Sequence, residues 1–282
     1  MTTTAHADAH TWGAFDITVA FGDTVALQHV SLTAERGQVA ALVGGDGAGK
    51  TTLLRTLVGR IRPQSGTVTT PPTRACGFMP TGASGVWQDL TVDENIAFAA
   101  AAHHITGAAL EQRRRALLSA AGLDHAADRL AGALSGGMRQ KLAFCLAILH
   151  QPSLLVLDEP STGVDPVSRV DLWRLVSRAA ADGAAVVMAT TYLDEAERAS
   201  TCLVLDSGRT LTSGAPADIL DNTPGTLTTA DAPTGPRELS WRRGRQTRSW
   251  HAGSPRPGER AMAADMEDAV IAYTLADQQQ EH

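Results

Sequence analysis

At 282 residues the chain is long enough for one large domain, or a domain with a small appendage, to bury a hydrophobic core. Its 43% hydrophobic fraction excludes a mainly disordered protein, and a net charge of -6 argues against a chain that binds nucleic acid over its whole length. Cys76, Cys145 and Cys202 stand far apart without metal-ligand spacing, which predicts reduced, mostly buried thiols in a cytosolic setting.

The N-terminal stretch MTTTAHADAHTWGAFD has no basic segment followed by an apolar one, so no secretory signal is expected. Residues 1–13 read as a tail. FDITVAFG and VALQHVSLTAERGQ then predict β-branched strands, QVAALVGG a buried strand ending in glycines, and TTLLRTLVGRI a helix directly behind it. IRPQSGTVTTPPTRACGFMP is turn-rich with short strands. Residues 81–149 read mainly as helix, with Thr91 and Glu94 in capping-box spacing at one helix start. The basic run Arg113, Arg114 and Arg115 predicts a solvated helix face.

LLVLDEP and AAVVMATT predict two further buried strands separated by the helix VSRVDLWRLVSRAAADG. Strand, helix and strand in alternation imply a parallel sheet with helices on its faces. Residues 223–282 read as a linker, NTPGTLTTADAPTGP, and a small C-terminal appendage. In that appendage Trp241 and Trp250 should pack inward from two strands, and ADMEDAVIAYTLADQ should form a closing helix. No apolar run reaches the roughly 20 residues that a bilayer crossing needs, so membrane association is expected to go through a partner.

The strongest chemical signal is GGDGAGKTT at residues 44–52. Gly44, then Gly45, Asp46, Gly47 and Ala48, then Gly49, Lys50 and Thr51 match the phosphate-loop pattern, between a strand and a helix as that pattern requires; Thr52 continues it. Glycines let backbone N–H groups converge on phosphates, and the positive helix end behind them favours an anion. In this pattern Lys50 would place a point charge at the β and γ phosphates of a nucleotide, and the Thr51 hydroxyl would be a ligand for Mg²⁺. Lys50 and Lys141 are the only lysines in a chain that otherwise uses arginine, so a flexible ammonium is specifically selected here. At the end of LLVLDEP, Asp158 can serve the metal and Glu159 can polarise an attacking water.

ALSGGMRQKLAFCLAIL places Ser135, Gly136, Gly137 and Met138 at the start of an apolar helix, a second anion site in a chain that already has its phosphate loop. Two such sites suggest head-to-tail pairing of two domains, each nucleotide held between one chain's phosphate loop and the other's LSGG. With the phosphate loop, LSGGM, LLVLDEP and STGVDP in this order and spacing, residues 14–222 resemble the ATP-binding cassette family, in particular the nucleotide-binding subunit of an ABC transporter of exporter type. The resemblance implies an α/β P-loop NTPase (RecA-like) core of parallel sheet, an antiparallel β subdomain, and an α-helical subdomain over residues 81–149 that grips an integral membrane subunit. It implies that Phe21 stacks on adenine and that Asp165 lies in a loop coupling two ATP sites. It implies a cytoplasmic protein held peripherally on the inner face of the cell membrane.

Two positions depart from the family pattern. In GFMPTGASGVW, Thr81 stands where the family has Gln, and in MATTYLDEAER, Thr191 stands where it has His. A threonine hydroxyl is shorter and cannot carry the positive charge that an imidazolium brings to phosphoryl transfer. Both losses fall on the site built around this chain's own phosphate loop, while its LSGGM is intact. The expectation is therefore weak hydrolysis and a second, non-identical cassette as partner. A homodimer tolerating Thr191, a soluble cassette ATPase acting on ribosomes or nucleic acid, and a regulatory cassette that does not hydrolyse are the alternatives; the arginines of residues 237–260 are the one feature favouring nucleic acid.

Overall fold

The computed structural model describes residues 11–231 and 236–280. Residues 1–10 of the expected tail and 232–235 of the expected linker lie outside the described residues, and residues 11–13 of that tail are corrected to strand, because they pair with residues 33–35. The chain runs β1 (Thr11–Phe21), β2 (Thr24–Glu35), β3 (Val39–Val43), α1 (Lys50–Leu57), β4 (Ser65–Thr69), β5 (Cys76–Met79), α2 (Val92–Ala102), α3 (Gly107–Ala121), α4 (Gly136–Ile148), β6 (Leu154–Asp158), α5 (Pro166–Ala181), β7 (Ala185–Thr190), α6 (Leu193–Ala196), β8 (Thr201–Asp206), β9 (Arg209–Gly214), α7 (Pro216–Asp221), β10 (Thr226–Ala230), β11 (Ser240–Arg243), β12 (Gln246–His251), β13 (Arg260–Ala261) and α8 (Met266–Gln280).

The central sheet has the order β5-β6-β7-β3-β8-β9, parallel except for the β8–β9 hairpin at one edge. Every residue of β3, β6 and β7 is buried, as expected for parallel strands covered on both faces. Alternate side chains feed two cores. Val39, Ala41, Val43, Leu155, Leu157, Val186 and Met188 pack with the helices α2 to α5, whereas Ala40, Leu42, Leu154, Val156, Val187 and Ala189 pack with α1 and with β1 and β2. A separate antiparallel sheet, β2-β1-β4, forms the outer layer on that second side.

The helical stretch is held by local chemistry. Thr91 accepts from the Glu94 backbone and Glu94 returns a contact to the Thr91 N–H at 2.8 Å, so the capping box forms at the start of α2. The basic run on α3 corrects the reading of a solvated face. Arg113 donates to the carbonyls of Leu149 (3.1 Å) and Ile148 (2.9 Å) at the end of α4, Arg114 pairs with Asp93 on α2, and only Arg115 remains mainly exposed, beside Glu111. A cation at a helix C-terminus satisfies carbonyls that have no partner within the helix.

The expected linker is also corrected, because Thr226–Ala230 is a strand. It pairs with β12 and β13, and the appendage is a four-stranded antiparallel sheet, β11-β12-β10-β13, rather than two strands. Leu227, Trp250 and Ala272 form its small core, with Trp241 packed at the edge. The Trp250 indole N–H donates to the Pro224 carbonyl at 2.7 Å. α8 docks the unit on the main body: Met266 and Ala269 join the large core, and the Tyr273 hydroxyl donates to the Asn222 carbonyl at 2.9 Å.

His103, after α2, and His150, after α4, stack with ring centroids 3.8 Å apart. Burial, then the charge of the neighbouring histidine, holds both imidazoles below their ordinary value; for His103 that neighbour is His104, and for His150 it is His103. A folded-state value below the unfolded one means that the unfolded chain takes up protons first, so this stability is present above about pH 6.5 and is lost as pH falls below it. The urea midpoint should therefore drop between pH 7.5 and 5.5, and His150→Phe, which keeps the stack, should flatten that drop.

Candidate active site

Strand register assembles the site. Asp158 on β6 lies beside Ala189 on β7, which lies beside Leu42 on β3, and Val43 lies beside Thr190. The residues that leave these three strands, Glu159, Thr191 and Gly44, therefore emerge at one carboxyl edge, the usual place for ligands in an α/β sheet.

The glycine-rich loop joins β3 to α1. Gly49 caps α1 with φ of 102°, and a Cβ there would sit 2.8 Å from the Ala26 carbonyl oxygen, so only glycine fits. Lys50 is 5% exposed, and its Nζ donates to the carbonyls of Gly44 (2.8 Å) and Gly45 (3.0 Å). Glu159 Oε1 lies 3.6 Å from the same ammonium. Thr51 donates its hydroxyl to Asp158 at 3.0 Å, which brings together two oxygen donors of the kind a hard divalent cation prefers. Gly45, Asp46 and Gly47 are exposed at the loop's outer edge, Ala48 is buried beneath it, and Thr52 is partly buried on α1.

Glu159 has φ of 50°, a left-handed backbone in a non-glycine residue. Strain of this kind costs of order 1–3 kcal/mol and persists only where surrounding contacts enforce it. Here the Glu159 N–H donates to the Ala189 carbonyl (3.0 Å), and Thr162 donates its hydroxyl to Glu159 Oε2 (3.1 Å). Phe21 ends β1 with 54% of its surface exposed.

Ser135 caps α4 by accepting from the Met138 N–H at 3.2 Å, and Gly136 is exposed beside it. Asp165 caps α5, accepting from Val167 (3.1 Å) and Ser168 (3.0 Å); the Ser168 backbone bond, followed by the Ser168 side chain, holds its carboxyl below the usual range. These two helix starts touch, since a Cβ on Gly137 would lie 2.9 Å from Ser168 Oγ. Lys141 fastens α4 to α5 through Asp171 at 2.9 Å.

Sequence reasoning missed Arg169. It sits one turn into α5, with its N–H on the Asp165 carbonyl at 2.9 Å. Its Nη2 donates to Asp194 at 2.8 Å, its Nε lies 3.5 Å from Glu195, and its guanidinium covers the Tyr192 ring at 3.6 Å. Glu195 in turn accepts from the buried Thr190 hydroxyl at 2.6 Å, and Thr190 Oγ1 accepts from the Tyr192 N–H. The segment around Thr191 is thus clamped to the helix that begins at Asp165. The available signal was charge: an arginine four residues after the Asp165 cap, matched by the adjacent acids of YLDEAER. Thr191 itself is exposed, as is Thr81 after β5, and neither carries a group that titrates near neutral pH.

A family model described as ABC transporter matches residues 27–162. The probable multidrug ABC transporter ATP-binding protein YbhF of Escherichia coli is 41% identical over 204 residues, which is 69% of this chain and 35% of YbhF. The Nod factor export ATP-binding protein I of Cupriavidus metallidurans is 34% identical over 213 residues, covering 72% of this chain and 70% of that protein. The chain therefore corresponds to about a third of YbhF. Among solved structures, an ATP-binding subunit of an ABC transporter superposes on 74% of this chain and 92% of its own with a TM-score of 0.68 at 27% identity. A dimeric post-hydrolysis ATP-binding cassette bound to ADP and Pi shares the fold, with a TM-score of 0.64 over 72% of this chain and 98% of its own at 21% identity.

Removing the clamp should loosen the strand end selectively. In Arg169→Ala, amide hydrogen exchange over residues 190–196 should accelerate and stability should fall by about 1–3 kcal/mol, because the Glu195 carboxylate stays buried without its cation. Arg169→Lys should restore little of this, since an ammonium cannot serve two carboxylates and a ring face together.

Proposed function

Because the chain belongs to the ABC transporter family of ATP-binding proteins, we propose that it binds MgATP and hydrolyses it slowly at an interface with a second, non-identical cassette, and so drives export through a separate membrane subunit. The observation that carries this reading is the edge where Lys50, Thr51, Asp158 and Glu159 converge while the adjoining strand end offers only Thr191.

Each residue has a part in this reading. The loop N–H groups of residues 44–49 and the α1 N-terminus hold the phosphates, and Lys50 turns its ammonium from the Gly44 and Gly45 carbonyls to the outer phosphate oxygens. Thr51 and Asp158 hold Mg²⁺, which when bound offsets phosphate charge. Glu159, held by Thr162, orients and polarises the attacking water. Phe21 stacks on adenine from its exposed position. Ser135, Gly136, Gly137 and Met138 cap the nucleotide on the partner's phosphate loop, and Asp165 relays between the two sites. At Thr191 and Thr81 short neutral hydroxyls stand where a cation and an amide serve the family, so this chain's own site is the slower one.

No helix among the described residues is long and apolar enough to cross a membrane. We place the chain on the cytoplasmic face, with the exposed pair Trp87 and Phe98, 5.6 Å apart in edge contact, offering an apolar surface to the membrane subunit. Export as the direction rests on the likeness to the Nod factor export protein. Thr191→His should raise ATP turnover of the purified chain by about tenfold or more, with ATP affinity nearly unchanged. Wild-type turnover equal to that of a fully equipped cassette, unmoved by Thr191→His, would contradict the proposal.

A further inference from the structure

The arginine-rich appendage takes no part in the ATP site, and its charge is segregated. Residues 236–262 hold seven arginines and two glutamates in a chain whose net charge is -6. The β11–β12 hairpin sorts these arginines. Arg243 and Arg248 are paired with Asp265, Glu267 and Asp268 at the start of α8, and the Trp241 indole N–H donates to Asp268 at 3.3 Å.

Three of the other five arginines collect elsewhere. Arg237, Arg242 and Arg245 line a hollow of about 390 Å³ together with Ser240, Thr247 and the Trp241 ring. Among the described residues, Asp231 is the one carboxylate on its lining. All three guanidiniums are exposed. Arg237 and Arg245 have no ion-pair or hydrogen-bond partner among the described residues, and Arg242 gives only its Nε–H, to the Gly244 carbonyl at 3.3 Å. Three like charges around one hollow, with a single opposing charge, leave a local excess of two. A phosphomonoester carries about -1.5 to -2 near neutral pH and presents three terminal oxygens. Guanidinium forks match such oxygens in pairs. The hollow falls within the roughly 300–1,000 Å³ typical of small-molecule sites, and the indole gives an organic group a face to lie on.

We propose that this hollow binds a phosphomonoester, either a small phosphorylated molecule or a phosphorylated lipid headgroup, through Arg237, Arg242 and Arg245. The site lies outside the ATP machinery and does not depend on the reading of that machinery.

The test uses the full chain and the double variant Arg242→Gln/Arg245→Gln, whose exposed substitutions should leave the melting temperature and ATP affinity unchanged. Glycerol 3-phosphate is titrated while the Trp241 indole N–H resonance, assigned with Trp241→Phe, is followed by NMR. In parallel, co-sedimentation is measured with phosphatidylcholine vesicles with and without phosphatidic acid. A saturable Trp241 shift, weaker by about tenfold or more in the double variant and at high salt, supports the site with a soluble source. Sedimentation that requires phosphatidic acid and is lost in the double variant supports it with a lipid source. Absence of both responses, or responses equal in the double variant, overturns the proposal. So does a Trp241 shift that single-stranded RNA produces in the same titration and glycerol 3-phosphate does not, which would make the hairpin a nucleic-acid surface.

Discussion

Three parallel strands, β6, β7 and β3, are buried along their whole length and end at the same level, and the chemistry of the protein follows from that constraint. Where such strands stop, the backbone leaves a dry sheet and its polar groups must find partners within a residue or two. The chain answers with a glycine loop after β3, a strained acid after β6 and a hydroxyl pair after β7. Lys50, almost fully buried, is satisfied by two loop carbonyls and a nearby carboxylate. Those contacts are of the strength that a phosphate can replace, because a charge-assisted bond to an anion exceeds one to a neutral carbonyl.

The helices behind this edge form a connected frame rather than separate supports. α4 and α5 start side by side at Gly137 and Ser168 and are joined again by Lys141 and Asp171. Arg169 extends the frame from α5 to the segment around Thr191. The loop that ends at Asp165 and the end of β7 are thus linked through one side chain. This chain has Thr191 rather than a histidine at that strand end, and the backbone there is held by Arg169, Thr190 and Glu195.

Much of the core was legible because it is written in short range. Continuous apolar runs marked β3, β6 and β7, the Thr91 and Glu94 pair marked the start of α2, and the phosphate loop lay between a strand and a helix as its pattern requires. What escaped depends on partners distant in sequence. β10 hides in a threonine-rich, proline-flanked stretch and becomes a strand only by pairing with β12 and β13. Arg113 and Arg114 look like a solvated run until the end of α4 and Asp93 are brought to them. Arg169 carries no local mark of its role, which arises from acids 25 residues further along.

The central claim is that this cassette shares its nucleotide sites with an unlike partner on a membrane subunit. The most direct measurement is to tag the chain in its native cell, purify it from membranes in mild detergent and identify the co-purifying proteins by mass spectrometry. The account predicts an integral membrane subunit and a second cassette that carries Gln and His where this chain has Thr81 and Thr191. Recovery of a membrane subunit with this cassette alone would contradict the unlike pairing, and recovery with ribosomes or nucleic acid would contradict the transporter role itself.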